Sequence, residues 1–222
     1  MGLHFVADDW SGTGSWTSRD SNAWPTTVTG SPIKQASSFS GRSEIAALGD
    51  TNFFDSYPAQ ASNAAHSIAQ PTMIEILWKL PSTHADATVF SGSTGAGFDY
   101  IWTMQFSSNL FQSVSTLVGA LNGIAINANL DALLSKYVLS THVFDVGTNA
   151  SILYINGVSV VTATYSGSFH SVNSIFIIGR SAFTPGRPLG DGSVLEIMRH
   201  QSALSQATIA NRAAQFNALK GY

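Results

Sequence analysis

Cysteine is absent from this chain, and charged side chains are scarce. Without cysteine there is no disulfide, no thiolate nucleophile and no cysteine-ligated zinc. Charged residues make up 10% of the sequence, against about 25% in an average domain. Ten lysines and arginines in a chain of net charge −3 do not supply the basic face that a phosphate backbone requires. We therefore expect no nucleic acid partner.

Long apolar runs are also missing. No uninterrupted run approaches the ~18 residues of a membrane-spanning helix, and no polybasic segment is present to bind anionic lipid. Residues 1–16 lack the basic and apolar regions of a signal peptide. The sequence therefore predicts no membrane insertion and no recognisable signal peptide. If the chain works outside a cell, we expect either that it is carried there by another route, such as a virus particle, or that the sequence is that of an already processed chain.

Short strand patterns fill most of the sequence, and a helical pattern ends it. Apolar and β-branched runs bounded by turn residues predict strands over 3–7, 43–48, 73–80, 88–90, 100–106, 110–117, 120–126, 137–146, 151–155, 158–165, 174–179 and 193–199. Asn156-Gly157 predicts a type I′ hairpin turn. An apolar stripe at helical spacing behind the N-cap candidate Ser205 predicts a helix over 206–219. Residues 129–135 are ambiguous between a helical turn and irregular chain.

Three segments between residues 141 and 209 carry a resemblance to a known family. They are THVFD at 141–145 with SILYINGV at 151–158, then IIGR at 177–180, then GDGSVLEIMR at 190–199 with ALS at 203–205 and Ile209. Together with IEILWKLP at 74–81, their order and spacing resemble the laminin-G-like branch of the concanavalin A-like lectin and glucanase superfamily. The sequence departs from the family pattern at Ser140 and Leu195, where the family often has tryptophan and aspartate.

The strand spacing and this resemblance predict the same fold class. It is an all-β, two-sheet antiparallel jelly-roll sandwich with a short C-terminal helix. We expect a single domain over residues 1–222. Residues 1–67 are rich in serine, threonine and glycine with isolated aromatics, and are expected to be ordered loops that supply the first strands. Residues 203–222 are expected to form the C-terminal helix and tail.

Catalysis by paired carboxylates is poorly supported. Retaining glycosidases need two carboxyl groups about 5–5.5 Å apart. The glucanases of the superfamily place such groups at alternate positions of one strand, whereas here each candidate strand has one, Glu75 or Glu196. No Gly-x-Ser-x-Gly elbow is present for a serine nucleophile. We therefore expect no enzyme activity, with a glycoside hydrolase acting through Glu75 and Glu196 as the least favoured alternative.

Two loop aspartates are candidate metal ligands. Calcium binds several oxygen atoms from loops, and Asp99 and Asp191 each lie close to glycines in predicted loops. The resemblance to laminin-G domains adds support for an ion at the rim of the sandwich. The alternative is that both aspartates are turn residues. We expect no required cofactor, with calcium as the candidate ion.

Sugar binding requires an aromatic platform and planar hydrogen-bonding groups. The candidate ligand-binding residues are Trp10, Trp16, Trp24 and Tyr100 for the platform, and Asn127, Asn129, Arg180 and Arg187 for the polar partners. The other two tryptophans, Trp78 and Trp102, lie within strand patterns and are predicted to be core. The three N-terminal tryptophans have an alternative role as anchors of loops or of a subunit contact.

These observations favour a non-catalytic surface binding module that is carbohydrate-binding or adhesive. Domains of the resembled family are frequent in virus and phage surface proteins, so the expected location is a virion surface or the extracellular space. The alternative is a structural decoration protein that binds neighbouring subunits of a virion or another assembly. We expect glycan or protein partners, and a homo-oligomer because exposed strand edges must be covered.

Overall fold

A computed structural model describes residues 3–19, 23, 25–55, 72–83, 87–93, 100–107, 110–115, 124–145, 148–164, 175–180, 188–200 and 204–219. The strands in these residues are β1 (Leu3–Val6), β2 (Thr27–Thr29), β3 (Ile33–Ala36), β4 (Ser43–Ala46), β5 (Phe53–Asp55), β6 (Thr72–Lys79), β7 (Ala87–Ser93), β8 (Tyr100–Ser107), β9 (Leu110–Ser115), β10 (Ile124–Ala128), β11 (Tyr137–Asp145), β12 (Ala150–Ile155), β13 (Val158–Thr164), β14 (Ile175–Ile178) and β15 (Ser193–His200). The α-helix α1 spans Gln206–Leu219, and 3-10 turns lie at Ala7–Asp9 and Asp131–Leu133.

The strands form two antiparallel sheets. The larger, eight-stranded sheet has the order β13-β12-β11-β6-β15-β4-β3, with β1 also beside β15; the smaller has the order β10-β9-β8-β7-β14-β5-β2. β15 pairs with β6 along one edge, while β1 and β4 share the other edge. The first strands of the chain thus enter both sheets. The predicted two-sheet antiparallel jelly-roll sandwich with a short C-terminal helix is confirmed.

Alternating side chains divide the larger sheet into an inner and an outer face. In β6, Ile76 and Trp78 are buried between the two sheets in the main core, and the indole Nε1 of Trp78 donates to the Ser140 hydroxyl at 2.9 Å. Met73 and Leu77 of the same strand point to the outer face, where they pack in two smaller apolar clusters. The prediction that Trp78 is a core residue is confirmed, while the side chain of Trp102 lies outside the described residues.

The helix α1 covers the outer face of the larger sheet. Its predicted bounds are confirmed, and the Ser205 hydroxyl accepts the N–H of Thr208 at 3.2 Å as an N-cap. Ile209, Ala213 and Phe216 are its buried residues, as their spacing predicted. In the part of the chain that the structure describes, no helix is long and apolar enough to cross a membrane.

The hairpin between β12 and β13 docks against this helix. Asn156 and Gly157 have φ values of 53° and 82°, so the predicted turn with two left-handed residues is confirmed. The Asn156 side-chain oxygen accepts the N–H of Leu139 at 2.9 Å. A Cβ atom on Gly157 would lie 2.3 Å from the Cβ of Ala213, so only glycine allows the turn to approach α1 this closely.

Some strand predictions were wrong in position or missing. β2, β3 and β5 lie in residues that the sequence assigned to loops, because two of them are short strands with mostly exposed, polar-rich sequences. They exist through pairing with distant residues, such as Val28 with Phe54. Among the later strands, β10 spans Ile124–Ala128, so it ends two residues beyond the predicted 126, while the predicted residues 120–123 lie outside the described residues. The ambiguous segment 129–135 contains the 3-10 turn.

Candidate functional site

Trp10 and Trp16 lie in the main core and not on an open surface. The indole Nε1 of Trp16 donates to the Val6 carbonyl at 2.9 Å, and that of Trp10 donates to the Gly14 carbonyl at 3.0 Å. Both rings pack edge-on against Phe54, with centroids 5.1 and 5.0 Å away. Trp16 is completely buried and Trp10 is 1% exposed, so their burial argues against an open sugar platform, which stays a prediction. Their contacts fit the alternative role of loop anchors.

Three further candidates cannot be placed as ligand-binding side chains. Trp24 and Arg187 lie outside the described residues. Tyr100 is the first residue of β8, but its side chain also lies outside the described part of the chain. These three remain predictions.

The predicted polar partners are dispersed and locally engaged. Asn127 is exposed on β10, and Arg180 follows β14, four strands away in the smaller sheet. The guanidinium of Arg180 lies over the Phe53 ring at 3.9 Å. Asn129 accepts the N–H of Asp131 at 2.8 Å and donates to its carboxylate at 3.2 Å, which holds a local turn. Arg180 therefore lies apart from Asn127 and Asn129 in the sheet.

The candidate calcium ligand Asp191 ties its own loop to the loop that follows β6. Its carboxylate accepts the backbone N–H of Ser82 at 2.8 Å, and this hydrogen bond keeps the pKa of Asp191 below the ordinary 3.8. The other candidate, Asp99, lies outside the described residues. Within the described residues, no group of three or more His, Asp or Glu side chains is arranged to hold a metal ion. Calcium therefore remains a prediction.

A cluster of charged side chains lies beneath α1 on the outer face of the larger sheet. Glu75 of β6 has no exposed area, and its carboxylate contacts Arg212 Nε at 2.8 Å and His200 Nε2 at 3.0 Å. The hydroxyl of Thr141 donates to the same carboxylate at 3.4 Å. Because Arg212 belongs to α1, this ion pair joins the helix to a central strand of the sheet.

A second carboxylate on the same face has the same kinds of partners. Glu196 of β15 contacts His4 Nε2 at 2.7 Å and Arg42 Nη1 at 2.9 Å. Burial opposes its ionisation, but the hydrogen bond with His4 and the charge of Arg42 outweigh burial and hold the pKa of Glu196 below the ordinary 4.5. Each of the two carboxylates is therefore paired with one arginine and one histidine.

This arrangement does not fit a pair of catalytic carboxyl groups. The register places Glu196 opposite Leu77, so Glu196 and Glu75 share the outer face. Catalysis requires both groups within reach of a substrate, with one of them protonated as the acid. Glu75 is completely covered, and Glu196 is held in its ionised form. The geometry supports charge pairing between elements rather than glycoside hydrolysis.

A pocket of about 230 Å³ lies beside these charges, between α1 and the outer face of the sheet, and we call it the helix pocket. Its lining consists of the apolar side chains Phe39, Leu77, Leu139, Met198, Phe216 and Leu219 and the polar side chains Arg42, Glu196, Arg212 and Gln215. The rings of Phe39 and Phe216 stack with centroids 5.3 Å apart. An apolar lining with a few planar polar groups is typical of small-molecule sites.

The sequence reasoning missed the helix pocket. One half of the pocket could be predicted from the sequence, because the spacing of Arg212, Phe216 and Leu219 places them on one side of the predicted helix. The other half comes from residues near Phe39 that were assigned to loops, and from Glu196 beside a bulge in β15. Nothing in the sequence signals that these distant segments meet.

A second pocket of about 350 Å³ lies among the N-terminal loops. It is lined by Trp10, Gly12, Thr13, Gly14, Val28, Gly30, Ser31 and Pro32. The lining contains no charged side chain, and the Trp10 indole N–H is already bonded to the Gly14 carbonyl. The helix pocket, which has guanidinium, carboxylate and amide groups, is therefore the stronger candidate for a specific ligand.

Comparison with known proteins places this architecture in context. A laminin-G-type family model, described as the concanavalin A-like lectin/glucanases superfamily, matches residues 59–210. No curated protein matches the chain by sequence. The fold is similar to the binding domain of botulinum neurotoxin DC in complex with SialylT, with a TM-score of 0.71, 13% identity, and coverage of 98% of this chain and 51% of that one.

Two other solved structures show the same similarity. The botulinum neurotoxin type G receptor binding domain has a TM-score of 0.67 and 12% identity, covering 96% of this chain and 50% of that one. The serotype D ligand binding domain in complex with N-acetylneuraminic acid has a TM-score of 0.65 and 10% identity, with the same coverage. The chain spans about half the length of these structures, and identities this low establish a shared fold alone.

Proposed function

Because the chain belongs to the laminin-G-type concanavalin A-like lectin/glucanase superfamily, we propose that it is a non-catalytic binding module whose ligand is a glycan held in the helix pocket. The observation that carries the proposal is the composition of this pocket. It combines an apolar floor with two guanidinium groups, one carboxylate and one amide. A sugar presents the matching chemistry, with C–H faces and hydroxyl groups that both donate and accept.

The charged groups of the pocket retain hydrogen-bonding capacity after their mutual pairing. Arg42 uses Nη1 on Glu196, and Arg212 uses Nε on Glu75 and Nη2 on the Met198 sulfur. No described residue bonds Nη2 of Arg42 or Nη1 of Arg212, so each guanidinium has donors for a ligand. The pairing also fixes both guanidinium groups in place, which lowers the entropy lost on binding.

Neighbours in the fold provide separate support for a glycan. Botulinum neurotoxin binding domains of this fold have been solved in complex with SialylT and with N-acetylneuraminic acid, and the cell entry of botulinum neurotoxin type C depends on interaction with two ganglioside molecules. The DC binding domain has also been solved in complex with rat synaptotagmin II, so the fold also occurs in a protein-binding context. These ligands belong to proteins about twice the length of the matched region.

A glycan array tests this proposal. We expect the purified chain to bind a defined subset of glycans, and Gln215→Ala to weaken that binding about tenfold through loss of hydrogen bonds to the amide. The matched control is Gln206→Ala, an exposed glutamine in the first turn of the same helix and outside the pocket. Absence of binding to every glycan, or equal binding by both variants, would contradict the assignment of a glycan to this pocket.

The same array tests the candidate calcium ion. If an ion held near Asp191 or Asp99 supports a ligand site, chelator will abolish glycan binding and added calcium will restore it. Binding that survives chelator, with an unchanged melting temperature, would remove calcium from the proposal. This arm is independent of Gln215, because Asp191 lies outside the helix pocket.

A role in a larger assembly is the second candidate function. We propose a virion surface or the extracellular space as the place of action, either as an adhesive module or as a decoration protein that contacts neighbouring subunits. The scarcity of charge and the exposed valines Val158 and Val160 support such contacts. A silent glycan array together with saturable binding to purified particles would favour decoration, and glycan binding without particle binding would exclude it.

A further inference from the structure

Charged residues are absent from two long segments of the sequence. Between Asp99 and Asp131, and again between Asp145 and Arg180, there is no lysine, arginine, aspartate or glutamate. Strands β8, β9 and β10 of the first segment lie together at one end of the smaller sheet. Strands β12 and β13 of the second segment form one end of the larger sheet, and β10 contacts β13. We call this end of the sandwich the neutral side.

The opposite end of the larger sheet has a different composition. Its edge strand β3 contains Lys34, and the neighbouring strand β4 contains Glu44. The ammonium group of Lys34 donates to the carbonyls of Asp8 and Trp10, so this edge is tied to the N-terminal loop. A lysine on a short edge strand is a common protection against unwanted strand pairing.

Strand β13 lacks the charged residue that protects β3. Its sequence, Val-Ser-Val-Val-Thr-Ala-Thr, has no charge and no proline, and it is longer than β3. Val158 is 66% exposed and Val160 is 41% exposed, and they are two of four large apolar side chains exposed in the described chain. One bulge interrupts the pairing with β12, opposite Leu153 and Tyr154. No described strand pairs with the outer edge of β13.

We propose that β13 pairs with β13 of a second copy of this chain, antiparallel and across a two-fold axis. In such an interface both copies contribute the same patch of surface, so a charge near the axis would face its own copy across the axis. A neutral strand avoids this repulsion. Full overlap of the seven residues centres on Val161 and sets Val160 opposite Thr162 of the second copy, and β-branched residues are favourable in such pairs.

A second copy fits this edge better than a foreign strand. Selection of a foreign strand requires pockets or charges that reject other sequences. The outward residues of β13 are valine, serine and threonine, which supply backbone pairing and apolar contact without such selectivity. Depletion of charge over the whole neutral side is also typical of the core of subunit interfaces. The proposal does not rest on glycan binding, because the helix pocket contains no residue of β13.

Molar mass in solution tests the proposal. We expect light scattering of the purified chain at micromolar concentration to give about twice the 23.5 kDa of one copy. Val160→Lys places one ammonium group in each copy opposite Thr162 of the other copy, which disfavours the pairing of the two strands. The measured molar mass is therefore expected to halve. The fold is expected to be retained, because position 160 is already exposed. The matched control is Ile33→Lys, which introduces the same charge at a 51% exposed position on the other edge and is expected to leave the dimer intact.

Hydrogen exchange provides the second measurement. We expect the amides of β13 to become more protected as the concentration of the wild-type chain rises, and those of Val160→Lys to show no such change. A wild-type monomer, a dimer that persists in Val160→Lys, or a dimer lost in Ile33→Lys would each overturn the proposal. Glycan binding per copy is expected to be unchanged in Val160→Lys. Absence of glycan binding and absence of a dimer are therefore separate results.

Discussion

Replacement of His142 by glutamine is expected to make folding less sensitive to acid. His142 lies on the inner face of β11, completely buried, with Nε2 at 2.7 Å from the Ser151 hydroxyl and the ring 3.9 Å from that of Phe144. Burial lowers its pKa from the ordinary 6.5 to about 3. The folded chain therefore holds this imidazole neutral at every pH at which most proteins are studied.

The sign of the effect follows from proton binding. Between pH 6.5 and 3 the unfolded chain binds a proton at His142 and the folded chain does not, so stability falls as the pH falls. One pKa unit corresponds to about 1.4 kcal/mol, so this group alone removes roughly 3 kcal/mol of folding free energy between pH 7 and pH 4. Above pH 6.5 its contribution is constant. Glutamine does not titrate, and its amide can retain a hydrogen bond with Ser151.

Urea unfolding at several pH values measures this difference. We expect the free energy of unfolding of the wild type to fall more steeply than that of His142→Gln below pH 6.5, by about 1.4 kcal/mol per pH unit. His4 and His200 contact carboxylates and are present in both proteins, so the difference between the two curves isolates His142. Parallel curves for the two proteins would refute a buried, neutral imidazole at this position.

Two further changes test the contacts around α1 by thermal or urea unfolding. Arg212→Gln is expected to lower the free energy of unfolding by about 3 kcal/mol, because it leaves the completely buried Glu75 carboxylate without its arginine. Glu75→Gln is expected to lower it by less, because the Arg212 side chain is 30% exposed and can be partly hydrated. Equal losses would contradict this asymmetry. Gly157→Ala is expected to cost about 2 kcal/mol or more, since its φ is positive and its new methyl group meets Ala213. Adding Ala213→Gly should recover the steric part of that loss, and simple additivity of the two changes would argue against the contact.

The regular part of the fold was predictable because its signals are local. The hairpin at Asn156-Gly157 follows from the two left-handed residues that its turn requires. The helix α1 follows from an apolar stripe and an N-cap, both contained in fifteen residues of sequence. Strands such as β6 and β15 are runs of apolar residues bounded by breakers. In each case the information needed lies within the element itself.

The tryptophans show where local reasoning failed. Trp10 and Trp16 stand among serines and glycines, a setting that suggests an exposed loop. In the folded chain both pack on Phe54, about forty residues later, which buries them in the core. Whether an aromatic residue in a polar segment is exposed depends on such distant partners. Sequence spacing alone does not contain that information.

The helix pocket was not predicted from the sequence for a related reason. Its wall on the β15 side depends on a bulge between Val194 and Glu196. Because of the bulge, both Leu195 and Glu196 lie on the outer face of the sheet: Leu195 in the apolar cluster under α1 and Glu196 in the lining of the pocket. Regular alternation would have put these two neighbours on opposite faces. A strand pattern with period two therefore assigns one of them to the wrong face.

The pairing of β1 with β15 has a consequence for how the chain is made. Leu3 pairs with Arg199, so the first strand leaves the ribosome long before its partner has been synthesised. Until then β1 has no strand to pair with. Topologies dominated by such distant pairs fold on a timescale of about milliseconds to seconds. The larger sheet closes only after translation has passed β15, and α1, which follows β15 in the sequence, then covers it.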